Sequence, residues 1–192
     1  MTWRVLDLDG PILAGKQRHY ACYRDGMQAV GKTPMEIEAY WAHKRDQLVA
    51  ADTSDEAFKA FWLSHIEEPE YLALDRLQSG AAEILKKWCD AGDQLVLVTM
   101  RQHESRVIEQ LKSFGIYDYF SSVIVTQKPE KEAALSGIDP KQAIWIGDTE
   151  VDAQSAQRFG CPCYLVENGL REGAFLAQFA GCTVVPDITV VP

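Results

Sequence analysis

Two pairs of aspartates stand at the ends of short apolar runs, where carboxylates are placed to hold a cation or to act as nucleophile, acid or base. The first is Asp7-Leu8-Asp9-Gly10, and the second is Asp148 and Asp152 in Ile146-Gly147-Asp148-Thr149-Glu150-Val151-Asp152. Each has an ordinary explanation. Asp9-Gly10 is good turn chemistry, and an aspartate at a helix start accepts from free N–H groups and sits favourably in the helix dipole. Four positions apart, Asp148 and Asp152 share one side of a first helical turn. If a sheet brings both pairs to one edge, their repulsion is costly unless a hard cation such as Mg²⁺ fills the gap. Thr99, at the end of another apolar run, offers a hydroxyl and a backbone N–H to a phosphoryl oxygen, or else caps the next helix. Lys128 in Thr126-Gln127-Lys128-Pro129 could reach the same crevice as a point cation, with Lys131 its rival; the default for either is an exposed loop lysine.

The elements that must position these residues follow from the apolar pattern. Residues 5–8, 94–99, 122–126, 143–147 and 163–166 are short, rich in Val, Ile and Leu, and nearly continuous, which suits strands buried on both faces of a parallel sheet. Helices are expected at 80–90, 104–114, 130–136 and 151–159, each with a glycine just past its end. The alternation predicts an α/β fold with right-handed crossovers, and open sheets of that kind bind ligands at the carboxyl ends of their strands. Between residues 8 and 94 the chain is far longer than one crossover requires. That insert reads as all helical: one helix over 15–30, a second opened by Thr33-Pro34-Met35-Glu36 as a capping box with Pro34 at the first helical position, and a third opened near Ser54. The expected division is a core of residues 1–13 and 79–192 and a helical domain of 14–78. Phe58, Phe61 and Trp62 have the spacing of that domain's own core. The tail after Gly181 predicts a last edge strand and a frayed end.

Composition narrows the function classes. The chain has 192 residues, 47% hydrophobic and 24% charged, the profile of an ordinary folded domain. Its net charge of −9 disfavours a nucleic-acid backbone or an anionic membrane as partner. An acidic start in place of a signal peptide, and no membrane-length apolar run, point to a cytoplasmic protein. Five scattered cysteines suit a reducing compartment, and Cys161-Pro162-Cys163, with one residue between its sulfurs, is a weak redox or zinc signal that reads better as small buried apolar residues.

In their order, Asp7-Leu8-Asp9-Gly10, Thr99, Lys128-Pro129, and Gly147-Asp148-Thr149 with Asp152 resemble the four motifs of the haloacid dehalogenase superfamily, and the helical insert falls where that family carries its C1 cap. The resemblance covers nearly the whole chain and points to the phosphoglycolate phosphatase-like branch, with a Rossmann-like core, a helical cap and a β-hairpin flap over residues 10–15. It implies that Asp7 attacks a phosphomonoester to form an aspartyl-phosphate. Asp9 would protonate the leaving alkoxide and then activate water. Mg²⁺ would be held by Asp7, the Asp9 carbonyl and Asp148, with Asp152 orienting metal waters or the lysine; Thr99 would hold a phosphoryl oxygen and Lys128 offset charge. The interval from Lys128 to Asp148 is shorter than in many relatives with this cap, which keeps Lys131 in contention. An acid at Asp9 favours phosphotransfer over dehalogenation. The expected substrate is a small phosphorylated metabolite, and the expected state a monomer or homodimer. Gly10, Arg101, Trp41, Lys44 and Arg45 are candidate substrate contacts. A phosphomutase or other phosphotransferase, and a catalytically silent phosphometabolite-binding protein, are the alternatives.

Overall fold

The computed structural model describes residues 1–46 and 55–192. The chain opens with β1 (Trp3–Leu6) and β2 (Leu13–Ala14), runs through helices α1 (Lys16–Ala29), α2 (Ile37–Arg45), α3 (Glu56–His65) and α4 (Pro69–Leu72), and reaches β3 (Arg76–Leu77). Strands and helices then alternate: α5 (Ala81–Asp90), β4 (Gln94–Thr99), α6 (Glu104–Ser113), β5 (Phe120–Val125), β6 (Ala143–Gly147), α7 (Glu150–Phe159), β7 (Cys163–Val166), α8 (Gly173–Leu176) and β8 (Cys182–Val185). Two compact units result, one of Met1–Leu13 with Leu77–Pro192, the other of Ala14–Arg76.

In the first unit six strands form one sheet in the order β5-β4-β1-β6-β7-β8, and every neighbouring pair is parallel. The α/β class expected from the apolar runs, and the Rossmann-like core that the resemblance implied, are observed. Successive residues of a strand enter opposite faces, which is why the runs are continuous and not alternating. Leu6, Leu97 and Ile146 pack with Leu85, Trp88 and Leu111 on one face, while Val5, Val96, Val98 and Trp145 pack with Ala153 and Ala156 on the other. The chain leaves β1 for β4 on one side and later returns to β6 on the other. Strand order therefore reverses at β1, and a crevice opens at the carboxyl ends of β1, β4 and β6.

The second unit is helical over its described residues, with a core of Tyr23, Met27, Tyr40 and Phe58. Tyr23 stacks on Tyr40 with ring centroids 4.2 Å apart. Its Arg18 and Asp75 form an ion pair at 2.9 Å, both side chains buried. The capping box expected at Thr33 and Glu36 is absent: Glu36 is itself the extended residue preceding α2 and makes no side-chain cap bond. The Tyr23 hydroxyl accepts from the Met35 N–H and the Tyr20 hydroxyl donates to the Met35 carbonyl, which ties this segment to α1 instead. The helix start expected near Ser54 lies outside the described residues; α3 is capped by Asp55, whose carboxylate accepts from the Ala57 and Phe58 N–H groups.

Three other expectations change. The helix expected at 130–136 is a 3₁₀ turn, Lys131–Ala134, because Leu135 turns extended and packs with Ile138 against the core. The flap expected over residues 10–15 closes only as a tight turn, the Gly10 N–H donating to the Leu13 carbonyl at 2.9 Å, and its second arm, Leu13–Ala14, pairs with Arg76–Leu77. The tail forms the expected edge strand but is not frayed: Val191 is buried, and Arg4 donates to the Pro192 carbonyl at 2.5 Å. No helix among the described residues is long and apolar enough to cross a membrane. Truncating Leu97, which is fully buried in β4, should lower unfolding free energy by about 2–5 kcal/mol in urea titrations of Leu97→Ala; a loss under about 1 kcal/mol would contradict this placement of the core.

Candidate active site

Asp7 is the first residue past β1. Its N–H donates to the Ile146 carbonyl at 2.9 Å, which carries the β1–β6 pairing one step further and fixes where the side chain emerges. Asp7 Oδ1 accepts from the Leu8 N–H at 2.8 Å, and Oδ2 lies 3.0 Å from Lys131 Nζ. Thr99 closes β4 and is buried at the same sheet edge. Gly10 turns the chain at φ 101°, and a Cβ there would overlap the Asp148 carboxylate, as would one on Gly169. Only glycine lets backbone approach Asp148 so closely from both sides.

Asp148 is fully buried just beyond β6. Its Oδ2 accepts from the Leu170 N–H at 2.5 Å, but Oδ1 is buried without a hydrogen-bond partner. Asp152 is the opposite case. Oδ1 accepts from Lys131 Nζ at 2.8 Å and Trp145 Nε1 at 3.3 Å, while Oδ2 accepts from the N–H groups of Asp148 and Thr149 and from the Thr149 hydroxyl at 2.7 Å. The cap role that any helix-start aspartate could have belongs to Asp152, which forms a capping box with Thr149.

The lysine that reaches the carboxylates is Lys131, with a side chain only 2% exposed. Lys128 is exposed, its N–H donating to the Thr126 hydroxyl in a tight turn, so the sequence expectation that Lys128 enters the crevice is corrected. The physical reason is the anchoring of the following 3₁₀ turn to α7. Ser155 donates to the Pro129 carbonyl at 3.2 Å, and Arg158 pairs with Glu132 at 2.6 Å, which aims Lys131 inward.

Burial, followed by the charges of Asp152 and Asp9 and against the attraction of Lys131, holds the Asp7 carboxyl up to about 7. Burial and then the charges of Asp7 and Asp152 raise Asp148 well above the usual carboxylate range. Burial would raise Asp152 as well, but the Lys131 charge and the bonds from Lys131, Thr149 and Trp145 outweigh it and hold that carboxyl low. Lys131 is held charged, burial being outweighed by Asp152 and Asp7.

Asp7, Asp148 and Asp152 each offer a carboxylate oxygen within 4.8 Å of the others. These residues fit a divalent cation: Asp148 Oδ1 is buried without a hydrogen-bond partner, and burial with mutual repulsion raises the carboxyls of Asp7 and Asp148, an imbalance that a cation would relieve. Five donors already occupy Asp152 and each Asp7 oxygen has a partner, so the carboxylate oxygen of this group without a donor is Asp148 Oδ1. The Asp9 carboxylate lies outside this group and is gripped by Arg101, Nε to Oδ2 at 2.6 Å and Nη2 to Oδ1 at 2.8 Å. Asp7, Asp9, Thr99, Arg101, Lys131 and Arg171 line one cavity of about 190 Å³. Sequence reasoning missed Arg171, which pairs with Glu150 at 2.8 Å, and Leu170; neither carries a local signal. Trp41, Lys44 and Arg45 belong to the helical unit, where Trp41 packs edge-on against His19 and Lys44 lies over the Trp62 ring at 5.0 Å.

Residues 5–166 match the haloacid dehalogenase-like hydrolase family, and the chain belongs to it. A phosphoglycolate phosphatase of Rhodobacter capsulatus is 24% identical over 187 residues, covering 88% of this chain and 85% of the relative. One from Thiobacillus denitrificans is 28% identical over 119 residues, 57% of this chain and 52% of the relative. Among solved structures, a predicted phosphatase from Clostridium acetobutylicum superposes with a TM-score of 0.83 at 16% identity, covering 98% of this chain and 94% of that one.

Removing the acceptor that neutralises buried Lys131 should be severe. Asp152→Ala is expected to cost about 3–5 kcal/mol of unfolding free energy, against about 1 kcal/mol for Thr149→Ala; equal losses in chemical denaturation would refute the central place given to Asp152.

Proposed function

We propose that the protein is a Mg²⁺-dependent phosphatase that hydrolyses a small phosphomonoester through an aspartyl-phosphate on Asp7. The observation that carries this reading is the convergence of Asp7, Lys131, Thr99 and Asp9 on one cavity at the reversal of the sheet. An Asp7 oxygen forms the bond to phosphorus as the ester P–O bond breaks, and Asp9 delivers a proton to the departing oxygen. Asp9 then takes a proton from the water that attacks the phosphoryl group, restoring Asp7. Thr99 donates to a phosphoryl oxygen. Lys131 both fixes Asp7 in line and offsets charge gathering on the equatorial oxygens. When bound by Asp7, Asp148 and the Asp9 carbonyl, Mg²⁺ supplies the further positive charge that lets a dianionic phosphate approach a carboxylate. Asp152 acts on the lysine and the Asp148–Thr149 turn.

The shared name of the curated relatives makes 2-phosphoglycolate the first natural substrate to try. A cytoplasmic setting and a monomer or homodimer fit the same reading.

Asp7→Asn should abolish Mg²⁺-dependent p-nitrophenyl phosphate hydrolysis while circular dichroism stays native, and retained turnover would exclude Asp7 as nucleophile. EDTA should remove activity and Mg²⁺ restore it. In parallel kinetics, Lys131→Ala should lose about 100-fold or more in kcat, whereas Lys128→Ala stays within about 2-fold of the parent; a reversed order would return the role to Lys128.

A further inference from the structure

Asp148 is held between two stretches of backbone that belong to no strand or helix. A Cβ on Gly10 would overlap its carboxylate, as would one on Gly169, and the Leu170 N–H fixes Oδ2. The two stretches are far apart in sequence. Their separation sets how the carboxylate, with its partnerless Oδ1, is presented to Asp7 and Asp152. Gln78 spans the gap: its Nε2 donates to the Gly10 carbonyl at 2.9 Å and to the Asn168 carbonyl at 3.3 Å. Carbonyls only accept, so both bonds require the NH₂ end of the amide, whose two hydrogens match two acceptors. The arm is anchored at its base, where the Gln78 N–H donates to the Ile12 carbonyl at 2.8 Å and the Gln78 carbonyl accepts from the Ala81 N–H at 3.1 Å. The bond to Asn168 is solvent-exposed, so water would satisfy that carbonyl as well and little stability rests on it. What the amide supplies is a fixed distance between the two walls of the Asp148 cradle. Gln78 is outside the lining of the cavity and acts only through what it holds.

We propose that Gln78 is a positioning residue for the cation site, bracing the Gly10 turn against the loop of residues 168–170 so that Asp148 presents Oδ1 to a divalent ion. The inference rests on the cation given to Asp7, Asp148 and the Asp9 carbonyl in the phosphatase reading. That carbonyl belongs to the peptide joining Asp9 to Gly10, so one amide orders two of the three ligands. Partners that hold metal ligands from behind tune affinity in this way without touching the ion.

Mn²⁺ binding to EDTA-stripped protein, followed without substrate by electron paramagnetic resonance of the free ion, tests the brace. The wild type should bind Mn²⁺ that Mg²⁺ displaces and that Asp148→Asn abolishes. Gln78→Met, close in length but without a donor, should raise the Mn²⁺ Kd by about 10-fold or more, while the Tm of the stripped protein falls by no more than about 4 °C. Gln78→Asn carries the amide on a shorter arm and should fall between; it reads the same comparison should the methionine variant not fold. Leu111→Ala, which opens the buried core from α6, is the control for general loosening and should leave Kd within about 2-fold of the parent. An unchanged Kd in the Gln78 variants, or a rise of the same size in Leu111→Ala, overturns the brace. Asp7-dependent p-nitrophenyl phosphate hydrolysis is scored separately. Its absence, with Mn²⁺ binding and the Gln78 effect intact, overturns the phosphatase reading alone; a wild type that binds no Mn²⁺ at Asp148 overturns both.

Discussion

Three buried aspartates share a single buried ammonium, and most of the site's architecture follows from that imbalance. Lys131 lies within 3.0 Å of Asp7 and 2.8 Å of Asp152 and holds the Asp152 carboxyl low, while burial and its acidic neighbours raise Asp148, whose Oδ1 is buried without a donor. Like charges this close in a low dielectric are relieved by a bound proton or by a cation between them. A divalent cation would have the right charge to relieve them, and Asp7, Asp148 and Asp152 could hold one, each offering a carboxylate oxygen within 4.8 Å of the others. The residues around them are closely packed: glycines at 10 and 169 admit backbone against Asp148, and Asp152 accepts from five donors.

The sheet supplies the rest. Because strand order reverses at β1, the ends of β1, β4 and β6 converge, and Asp7, Thr99 and Asp148 occupy those ends. The lysine needs a different device. It arrives from a short 3₁₀ turn strapped to α7 by Ser155 and Arg158, so the helix that bears Asp152 also positions the cation that neutralises it.

How much of this could be read from the chain depended on range. Asp7, Thr99 and Asp148 were legible because each ends an apolar run whose burial on both faces fixes its length. Strands 94–99, 143–147 and 163–166 were found at their observed bounds for the same reason. The choice between Lys128 and Lys131 was not legible, since both follow the same strand and only packing on α7 decides which one enters. The capping box at Thr33 failed because tertiary hydrogen bonds from Tyr20 and Tyr23 won over local propensity. The grip of Arg101 on Asp9 joins residues far apart in sequence, and no local pattern encodes it.

The most direct measurement is a crystal structure of the protein with Mn²⁺ and beryllium trifluoride. An anomalous peak against Asp148 Oδ1 and Asp7, with the beryllium bonded to an Asp7 carboxylate oxygen and its fluorides facing Thr99 and Lys131, is the predicted result. A metal peak elsewhere, or a fluoride adduct on any other carboxylate, would contradict the account.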